Sequence, residues 1–356
     1  MLLGIHALLE FYREHRDEES LVLATIIATN GSTYRKPGAM MLINREGAFE
    51  GLISGGCLES DLLHHATAVF ETGMASHVTY DMHADEELVW NLGLGCDGVV
   101  HLLLQRLDRS DGFGFLEELE AAHHGRCPAI LALVTNSTGS LNNGEYGLLV
   151  SPDKAGGNPD LTAFLDEFKG NWPGWRCKTV VSEFAGEPLE LLLIHIPAQT
   201  SVLICGAGPD AVPVEQLFSG LNWKVQLVDH RPAYAQTDRF TGKCMVKQLR
   251  PGQLAERVDL EDIDAVVIMS HHLENDAEYL RQVAGAPPAY VGLLGPAARR
   301  ERLLEMAGCR NLPAFGPVGL DIGAELPESI ALSIAAEIHA VLNQRDGQSL
   351  TGRKKR

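Results

Sequence analysis

The sequence predicts an α/β protein of two domains, the second of which is a doubly wound parallel sheet. Three observations predict it. Apolar runs of strand length alternate with helical stretches, the alternation becomes a regular strand–helix repeat after residue 200, and a glycine-rich turn opens the first helix of that repeat. The 356 residues are enough for two ordinary cores. We place the domains at residues 1–197 and 198–346, and expect residues 347–356 to be a basic, disordered tail.

Composition and charge exclude several functional classes. The chain is 45% hydrophobic and 21% charged, as soluble globular proteins are. A net charge of −18 argues against a general nucleic-acid binder, whose affinity comes from neutralising phosphates. No apolar run approaches the roughly 18 residues of a membrane span, and the N-terminal MLLGIHALLEFYREH is typical of an amphipathic helix, not of a signal peptide. Seven scattered cysteines do not form a disulfide framework, so we expect a cytoplasmic protein.

The first loop of interest covers residues 30–39 and follows a buried strand predicted at Leu21–Thr29. It has a glycine near each end, and its hydroxyl groups, including that of Ser32, are followed by the basic side chains of Arg35 and Lys36. Two short strands joined by a hairpin turn come next. The hairpin leads directly to the second segment of interest.

That second segment is the turn Ser54-Gly55-Gly56-Cys57-Leu58-Glu59, between a strand predicted at Phe49–Ile53 and a helix. Cys57 falls at or near the helix N-terminus, where unpaired N–H groups and the macrodipole stabilise a thiolate or an anionic ligand. The alternative is a small buried cysteine that packs beside two glycines. If these strands belong to one sheet, the loop of residues 30–39 and Cys57 lie near one another.

A third loop, residues 91–98, places Cys96 among three glycines, between a predicted helix at Asp85–Asn91 and a strand at Val99–Leu104. Its backbone either approaches a ligand closely or only adopts unusual φ angles. A structural zinc site is not favoured, because the chain has no C-x-x-C and its nearby histidines lack metal-binding spacing. Residues 111–196 carry no catalytic pattern, and we interpret them as scaffold.

The second half carries a nucleotide-binding pattern. The strand Ser201–Cys205 precedes a G-x-G-x-x-A turn containing Gly206 and Gly208, and Asp229 ends the next strand about 20 residues on. Such glycines admit a pyrophosphate and such an aspartate bonds a ribose hydroxyl, so the segment predicts a Rossmann fold. Whether NAD(P) occupies the fold is a separate question. Pro209 removes one N–H that could have faced a phosphate. Arg231 either favours a ligand with a 2′-phosphate or is a surface arginine.

Two further features belong to this half. His271 and His272 follow a predicted strand, at the sheet edge where ligands gather in such folds, although loop histidines are common. Arg299 and Arg302 share one face of a helix, where they meet an anion or, as we favour, solvent. An amphipathic helix beginning near Pro327 closes the domain.

Taken together, the chain resembles the XdhC/CoxI family of accessory factors for xanthine dehydrogenase and related molybdenum hydroxylases. The matching segments span nearly the whole chain in the family's order. They are Gly31–Ala39, Ser54–Glu59, Gly93–Gly98, Gly206–Ala211, Tyr290–Gly295 and Gly319–Ala324.

The resemblance implies an N-terminal XdhC/CoxI-type domain and a C-terminal Rossmann-like domain. It implies that the protein binds molybdenum cofactor, protects it during sulfuration by a cysteine desulfurase and delivers it to the apo form of a xanthine dehydrogenase-type hydroxylase. The protein would perform no turnover chemistry of its own. A homodimer is compatible with this organisation, but no residue demands one.

The resemblance also suggests residue roles. Molybdenum cofactor is a pterin with a dithiolene and a phosphate, so it is anionic and labile to oxidation. The phosphate would be bound by Ser32, Arg35 and Lys36, while Cys57 would contact molybdenum or approach the position of the terminal sulfur. The remaining cofactor-binding candidates are Gly55, Gly56, Glu59 and Cys96 in the first domain and Gly206, Gly208 and Asp229 in the second.

Two alternatives stay open. One is an oxidoreductase that uses NAD(P) or another nucleotide in the Rossmann domain. The other is a protein–protein adaptor whose glycine loops are only structural. Nucleotide titration separates the first alternative from a cofactor carrier.

Overall fold

The computed structural model describes residues 4–56, 58–82, 98–151, 154–241 and 244–351. The chain divides into two compact units, Met1–Ala198 and Gln199–Arg356. Within the described ranges, no helix is long and apolar enough to cross a membrane. The predicted helix at Asp85–Asn91 lies outside the described residues, as do Cys57, Cys96 and the last five residues of the predicted tail.

The first unit contains two five-stranded antiparallel sheets. Sheet A has the strand order β3-β2-β1-β5-β4 and sheet B the order β8-β7-β6-β10-β9. The strands of sheet A are β1 (Ser20–Gly31), β2 (Met40–Ile43), β3 (Phe49–Gly51), β4 (Ser76–Asp81) and β5 (Gly98–Asp108). Those of sheet B are β6 (Ala129–Ser137), β7 (Tyr146–Val150), β8 (Lys154–Gly157), β9 (Cys177–Phe184) and β10 (Glu187–Ile196). The helices of this unit are α1 (Ile5–His15), α2 (Glu59–Thr72), α3 (Leu116–His124) and α4 (Pro159–Phe164).

Strand β1 shows why sheet A is covered on both faces. Side chains alternate sides along a strand, so Leu21 and Leu23 enter the core shared with sheet B, α1 and α3, while Val22 and Ala24 enter the core under α2. This explains the unbroken apolar run of β1, because each side chain has a core to enter. Hydrophobic burial at roughly 25 cal/mol per Å² then holds the two sheets together.

Some sequence-based boundaries were wrong. The edge strand β8 had not been predicted, because its sequence Lys-Ala-Gly-Gly lacks the branched residues that signal a strand. The strand expected at Phe49–Ile53 ends at Gly51. Strands β4 and β7 had not been predicted, since they are short, six and five residues long.

The candidate loops of the first unit leave sheet A at one edge. Gly31, at the end of β1, lies opposite Gly98, at the start of β5. The start of β2 lies opposite the end of β3, with Met41 paired to Gly51. Because the strands are antiparallel, the loop after β1 and the turn after β3 leave from the same edge, as the topology of the sequence had suggested.

The second unit is a doubly wound parallel sheet, sheet C, with the order β13-β12-β11-β14-β15. Its strands are β11 (Ser201–Cys205), β12 (Lys224–Asp229), β13 (Met245–Gln248), β14 (Ala265–Ile268) and β15 (Tyr290–Leu293). Its helices are α5 (Ala211–Gly220), α6 (Leu254–Arg257), α7 (Leu273–Val283), α8 (Ala297–Ala307) and α9 (Pro327–Leu342). Helices α5 and α9 cover one face and α6, α7 and α8 the other, which confirms the predicted Rossmann-like fold.

Candidate functional site

The turn before α2 is built around a buried carboxylate. Glu59 is 2% exposed, and its Oε1 accepts hydrogen bonds from the backbone N–H of Ile53 at 3.1 Å and of Ser54 at 2.8 Å. Its Oε2 accepts the Ser54 hydroxyl at 2.6 Å. Burial raises the pKa of Glu59, but the bonds from the Ser54 hydroxyl and the backbone outweigh it, so the pKa is lowered overall.

Ser54 also links the turn to the start of α2 through its hydroxyl oxygen. Its Oγ accepts the N–H of Leu58 at 3.0 Å and that of Gly56 at 3.3 Å, which satisfies donors that a helix N-terminus leaves free. The carboxylate of Glu59, which was predicted to bind cofactor, is hydrogen-bonded within the turn and holds the backbone there in shape.

The two glycines of this turn are exposed, unlike Glu59. Gly56 has φ of +107°, a conformation that residues with a Cβ rarely adopt. No described atom lies within 4 Å of a Cβ built on Gly55 or Gly56, so the outer side of the turn is open within the described part of the chain. The candidate Cys57 follows immediately and lies outside the described residues.

The loop after β1 presents cationic groups at the same edge. Thr33 is buried and donates its hydroxyl to the Arg35 carbonyl at 2.8 Å, and Lys36 donates its Nζ to Thr33 Oγ1 at 3.2 Å. Arg35 Nε is buried with no hydrogen-bond partner, and neither Arg35 nor Lys36 has an ion pair among the described residues. Burial lowers the pKa of Arg35. Ser32 and Lys36 are exposed.

Gly98 brings the third loop against this segment. A Cβ at Gly98 would lie 2.6 Å from the Ser32 carbonyl oxygen and 2.8 Å from that of Asn30, so only glycine allows the approach. The rest of that loop, with the candidate Cys96, lies outside the described residues. Among the residues that the structure does describe, no group of three or more His, Cys, Asp or Glu side chains could hold a metal ion.

In the second unit, the glycine turn closes on the neighbouring strand. Gly206 has φ of +115°, and a Cβ there would lie 2.6 Å from the Met269 carbonyl oxygen. At Gly208 a Cβ would lie 2.7 Å from Asp210 Oδ1. Both glycines are therefore needed for packing within the protein, whether or not a ligand binds at this turn.

Asp229, expected to bond a ribose hydroxyl, is instead engaged within the protein. The carboxylate is 1% exposed and accepts the Ala207 N–H at 2.8 Å, the Arg231 N–H at 2.9 Å and the Arg231 guanidinium at 3.0 and 2.8 Å. Burial raises its pKa, but these bonds outweigh it and lower the pKa overall. Arg231 also stacks on Tyr234, 4.0 Å from the ring centre. A ribose would have to displace one of these partners.

The entrance to α5 carries negative charge. Asp210 sits at the helix N-cap, and its Oδ2 lies 2.6 Å from Nε2 of His271, which has φ of +60°. The Gly206 N–H donates to the Val228 carbonyl, and Pro209 has none to offer. A pyrophosphate at this helix would meet the Asp210 carboxylate and few free N–H donors. His272 caps α7 by accepting the N–H of Asn275.

We therefore expect NAD(P)H not to bind this protein. Isothermal titration calorimetry up to millimolar nucleotide should show no saturable heat, because Asp210 repels phosphate and Asp229 is already satisfied. A saturable transition at micromolar NADH or NADPH would contradict this prediction and favour the oxidoreductase alternative.

A buried network that the sequence analysis missed lies beside this turn. Asp276 is 1% exposed and accepts from the Ser270 hydroxyl at 2.5 Å, from the Ser270 N–H at 3.1 Å and from Arg299 at 2.7 Å. Arg299 had been expected to face solvent. Asp276 and Arg299 lie on different helices, so their ion pair cannot be inferred from residue spacing in the sequence and is seen only in the tertiary structure.

Comparison with known proteins follows the same division of the chain. The XdhC and CoxI family model matches residues 15–81, and the XdhC Rossmann domain model matches residues 202–338. A probable xanthine dehydrogenase subunit from Bacillus subtilis is 30% identical over 337 residues, covering 94% of this chain and 96% of the relative. The molybdenum cofactor insertion chaperone PaoD of Escherichia coli is 23% identical over 338 residues, covering 92% of this chain and 86% of PaoD.

A solved structure extends the similarity to the fold. The crystal structure of a xanthine dehydrogenase from Bacillus halodurans superposes with a TM-score of 0.76 at 27% identity and covers 98% of both chains. The order of the matched segments agrees with the two units described above. On this similarity along nearly its whole length, the chain belongs to the XdhC and CoxI family.

Proposed function

We propose that this protein is a maturation factor for a molybdenum hydroxylase of the xanthine dehydrogenase type and that it carries molybdenum cofactor as cargo. Its similarity to PaoD, named as a molybdenum cofactor insertion chaperone, supports this role. The partners would be the apo hydroxylase and a cysteine desulfurase that sulfurates the cofactor. A homodimer is compatible with the proposal.

The observation that carries the proposal lies at the edge of sheet A from which the loop after β1 and the turn before α2 both leave, and where Gly98 packs against the loop. There Arg35 has a buried Nε–H without an acceptor, and Lys36 presents an exposed ammonium group. A buried donor without a partner costs roughly 1–3 kcal/mol, which an anionic acceptor would recover. The chemistry of these donors fits the cofactor's phosphate.

The neighbouring turn suits the other end of the cargo. Hydrogen bonds between Ser54 and Glu59 fix the buried side of the turn. Gly55 and Gly56 leave its outer side open. A rigid turn with an exposed backbone admits a bulky ligand at little cost in entropy. We propose that Cys57, which follows this turn in the sequence, contacts the molybdenum end, and that Cys96 contributes from the third loop.

The proposal leads to a retention experiment. Protein is incubated anaerobically with freshly released molybdenum cofactor and gel-filtered, and the retained pterin is quantified as its fluorescent oxidation product. We expect stoichiometric retention by the parent, at least about tenfold less by Arg35→Ala and by Cys57→Ala, and a smaller loss by Lys36→Ala, since loss of a charge-assisted hydrogen bond costs about 1.5–3 kcal/mol.

Arg45→Ala is the matched control. Arg45 belongs to the hairpin between β2 and β3, at the opposite edge of sheet A, and stacks on Phe70. Its removal changes the net charge by the same amount and should leave retention unaltered. Equal loss in Arg45→Ala and Arg35→Ala would show only general electrostatics. No retention by the parent would reject the carrier function and favour the adaptor alternative.

A further inference from the structure

Sheet B ends in a strand that is long for an edge strand. Strand β9 lies at one end of the order β8-β7-β6-β10-β9 and pairs with β10 alone among the described strands. It has eight residues, whereas the other edge strands of the described chain have three to six. Natural edge strands are commonly short or interrupted by proline or a bulge. Strand β9 contains no proline, and its register with β10 is unbroken.

The hairpin between β9 and β10 fixes which backbone groups face outward. Its two-residue turn, Ala185 and Gly186, has φ of +52° and +86°, as in a type I′ turn. In an antiparallel ladder, every second residue exchanges hydrogen bonds with the neighbouring strand. The Arg176 carbonyl accepts the His195 N–H at 2.9 Å, so the even-numbered residues bond to β10. The residues whose N–H and C=O groups face away from the sheet are therefore Cys177, Thr179, Val181 and Glu183.

The side chains at the middle of this edge are exposed. Val181 is 78% exposed, and Thr179 and Glu183 on either side of it are exposed as well. These three side chains share one face of the strand, because side chains alternate along it. On the other face, Val180 and Phe184 pack against the core of sheet B. A strand laid beside β9 would both pair its outward backbone groups and cover Val181.

We propose that β9 is a dimerisation edge, at which two copies of this chain pair their β9 strands antiparallel and join their B sheets into one continuous sheet. The two-fold axis is perpendicular to the sheet and passes beside Val181. Val181 then lies opposite Val181 of the partner subunit, and Thr179 lies opposite Glu183 of the partner subunit. Each outward N–H of one copy meets an outward C=O of the other, as a symmetric interface requires.

The side chains favour a second copy in this register. The two valines cover each other's apolar surface on one face of the sheet. The Thr179 hydroxyl donates to the carboxylate of Glu183 of the partner subunit, and symmetry repeats this contact. A register centred on Val180 would instead pair Glu183 with Cys177, whose thiol is a weaker donor than a hydroxyl. The register centred on Val181 therefore satisfies the polar side chains best.

A cysteine cross-link tests this register directly. The Cα atoms of a hydrogen-bonded antiparallel pair lie about 5.5 Å apart, within the range that a disulfide bridges. Val181→Cys should therefore form a disulfide-linked dimer under mild oxidation, seen by non-reducing gel electrophoresis. Thr179→Cys is the matched control, because the two Thr179 positions lie about 13 Å apart along the strands in this register and cannot be bridged. The parent gives the background from the native cysteines.

A proline at the same position tests the backbone pairing. We expect sedimentation velocity to show the parent as a dimer, and Val181→Pro to raise the dimer Kd by at least about tenfold, because symmetry removes two hydrogen bonds at once. The Val181 N–H does not bond to β10, so this proline spares the hairpin. Val181→Thr keeps the N–H and should remain dimeric. Circular dichroism establishes that each variant is folded, and the cross-link alone decides if Val181→Pro does not fold.

Three results would overturn the proposal. They are a parent that stays monomeric at about 100 μM, equal cross-linking of Val181→Cys and Thr179→Cys, and an unchanged dimer in folded Val181→Pro. The dimer does not rest on the carrier function, because β9 belongs to sheet B and the candidate cofactor loops leave sheet A. Cofactor retention is measured with other variants, so failure of either proposal leaves the other to be judged by its own experiment.

Discussion

Replacing Glu59 by alanine is expected to lower the free energy of unfolding of the first unit by about 4 kcal/mol. The change removes the acceptor for the N–H groups of Ile53 and Ser54 and for the Ser54 hydroxyl, all in a buried turn. Hydrogen bonds to a charged group contribute about 1.5–3 kcal/mol each, and donors left buried and unpaired add to the cost. Urea denaturation measures the loss, and amide hydrogen exchange over residues 59–72 localises it.

Glu59→Gln separates hydrogen bonding from charge. Glutamine keeps an acceptor for the two N–H groups but places an NH2 group against Ser54 Oγ, so we expect a loss of about 2 kcal/mol. Glu71→Ala, an exposed glutamate on the same helix, should change stability by less than about 0.5 kcal/mol. If Glu59→Ala behaves like Glu71→Ala, the buried carboxylate does not hold the turn.

The pH dependence of stability follows from the lowered pKa of Glu59. The unfolded carboxyl titrates near 4.5, and the folded one below that value, so the unfolded state binds the proton first as the pH falls. The contribution of Glu59 is therefore complete above about pH 5 and is lost as the pH falls through the folded pKa. The stability difference between the parent and Glu59→Gln should be constant near neutrality and shrink in acid.

The second large effect is expected for Gly206→Ala, which should destabilise the second unit by about 4 kcal/mol or prevent its folding. The new Cβ would lie 2.6 Å from the Met269 carbonyl oxygen and 2.7 Å from Ser270 Cα, at φ of +115°. A backbone atom cannot move aside as a flexible side chain would. The Met269 N–H also bonds the Cys205 carbonyl at 2.8 Å, which holds the two strand ends together.

Gly220→Ala provides the comparison for this substitution. Gly220 ends α5, and no described atom lies within 4 Å of a Cβ built there. Alanine should be neutral or add up to about 1 kcal/mol of stability through its helix propensity. Thermal unfolding followed by circular dichroism measures both variants. Similar melting temperatures for Gly206→Ala and the parent would mean that the two loops do not approach as closely as described.

The nucleotide pattern illustrates how far local sequence carries a functional inference. The spacing from Gly206 to Asp229 correctly predicted the strand–turn–helix–strand of a Rossmann fold, because backbone requirements for such a turn are local. The same spacing could not show that Arg231 and the Ala207 N–H occupy the Asp229 carboxylate. Those partners depend on how β11 and β12 pack, so the role of Asp229 could not be read from the sequence.

The amino-acid sequence by itself determined the two-domain α/β organisation, the Rossmann-like second unit, the family resemblance and the loops worth examining. Periodicity, glycine turns and motif spacing are local properties, so they can be recognised in the sequence alone. Only the tertiary structure decided that the Glu59 carboxylate holds its own turn, that Arg35 Nε lacks an acceptor and that the Ala207 N–H and Arg231 occupy the Asp229 carboxylate. Burial and pairing arise from residues distant in sequence that meet only after folding, and those contacts decide whether a polar group faces a ligand or the protein itself.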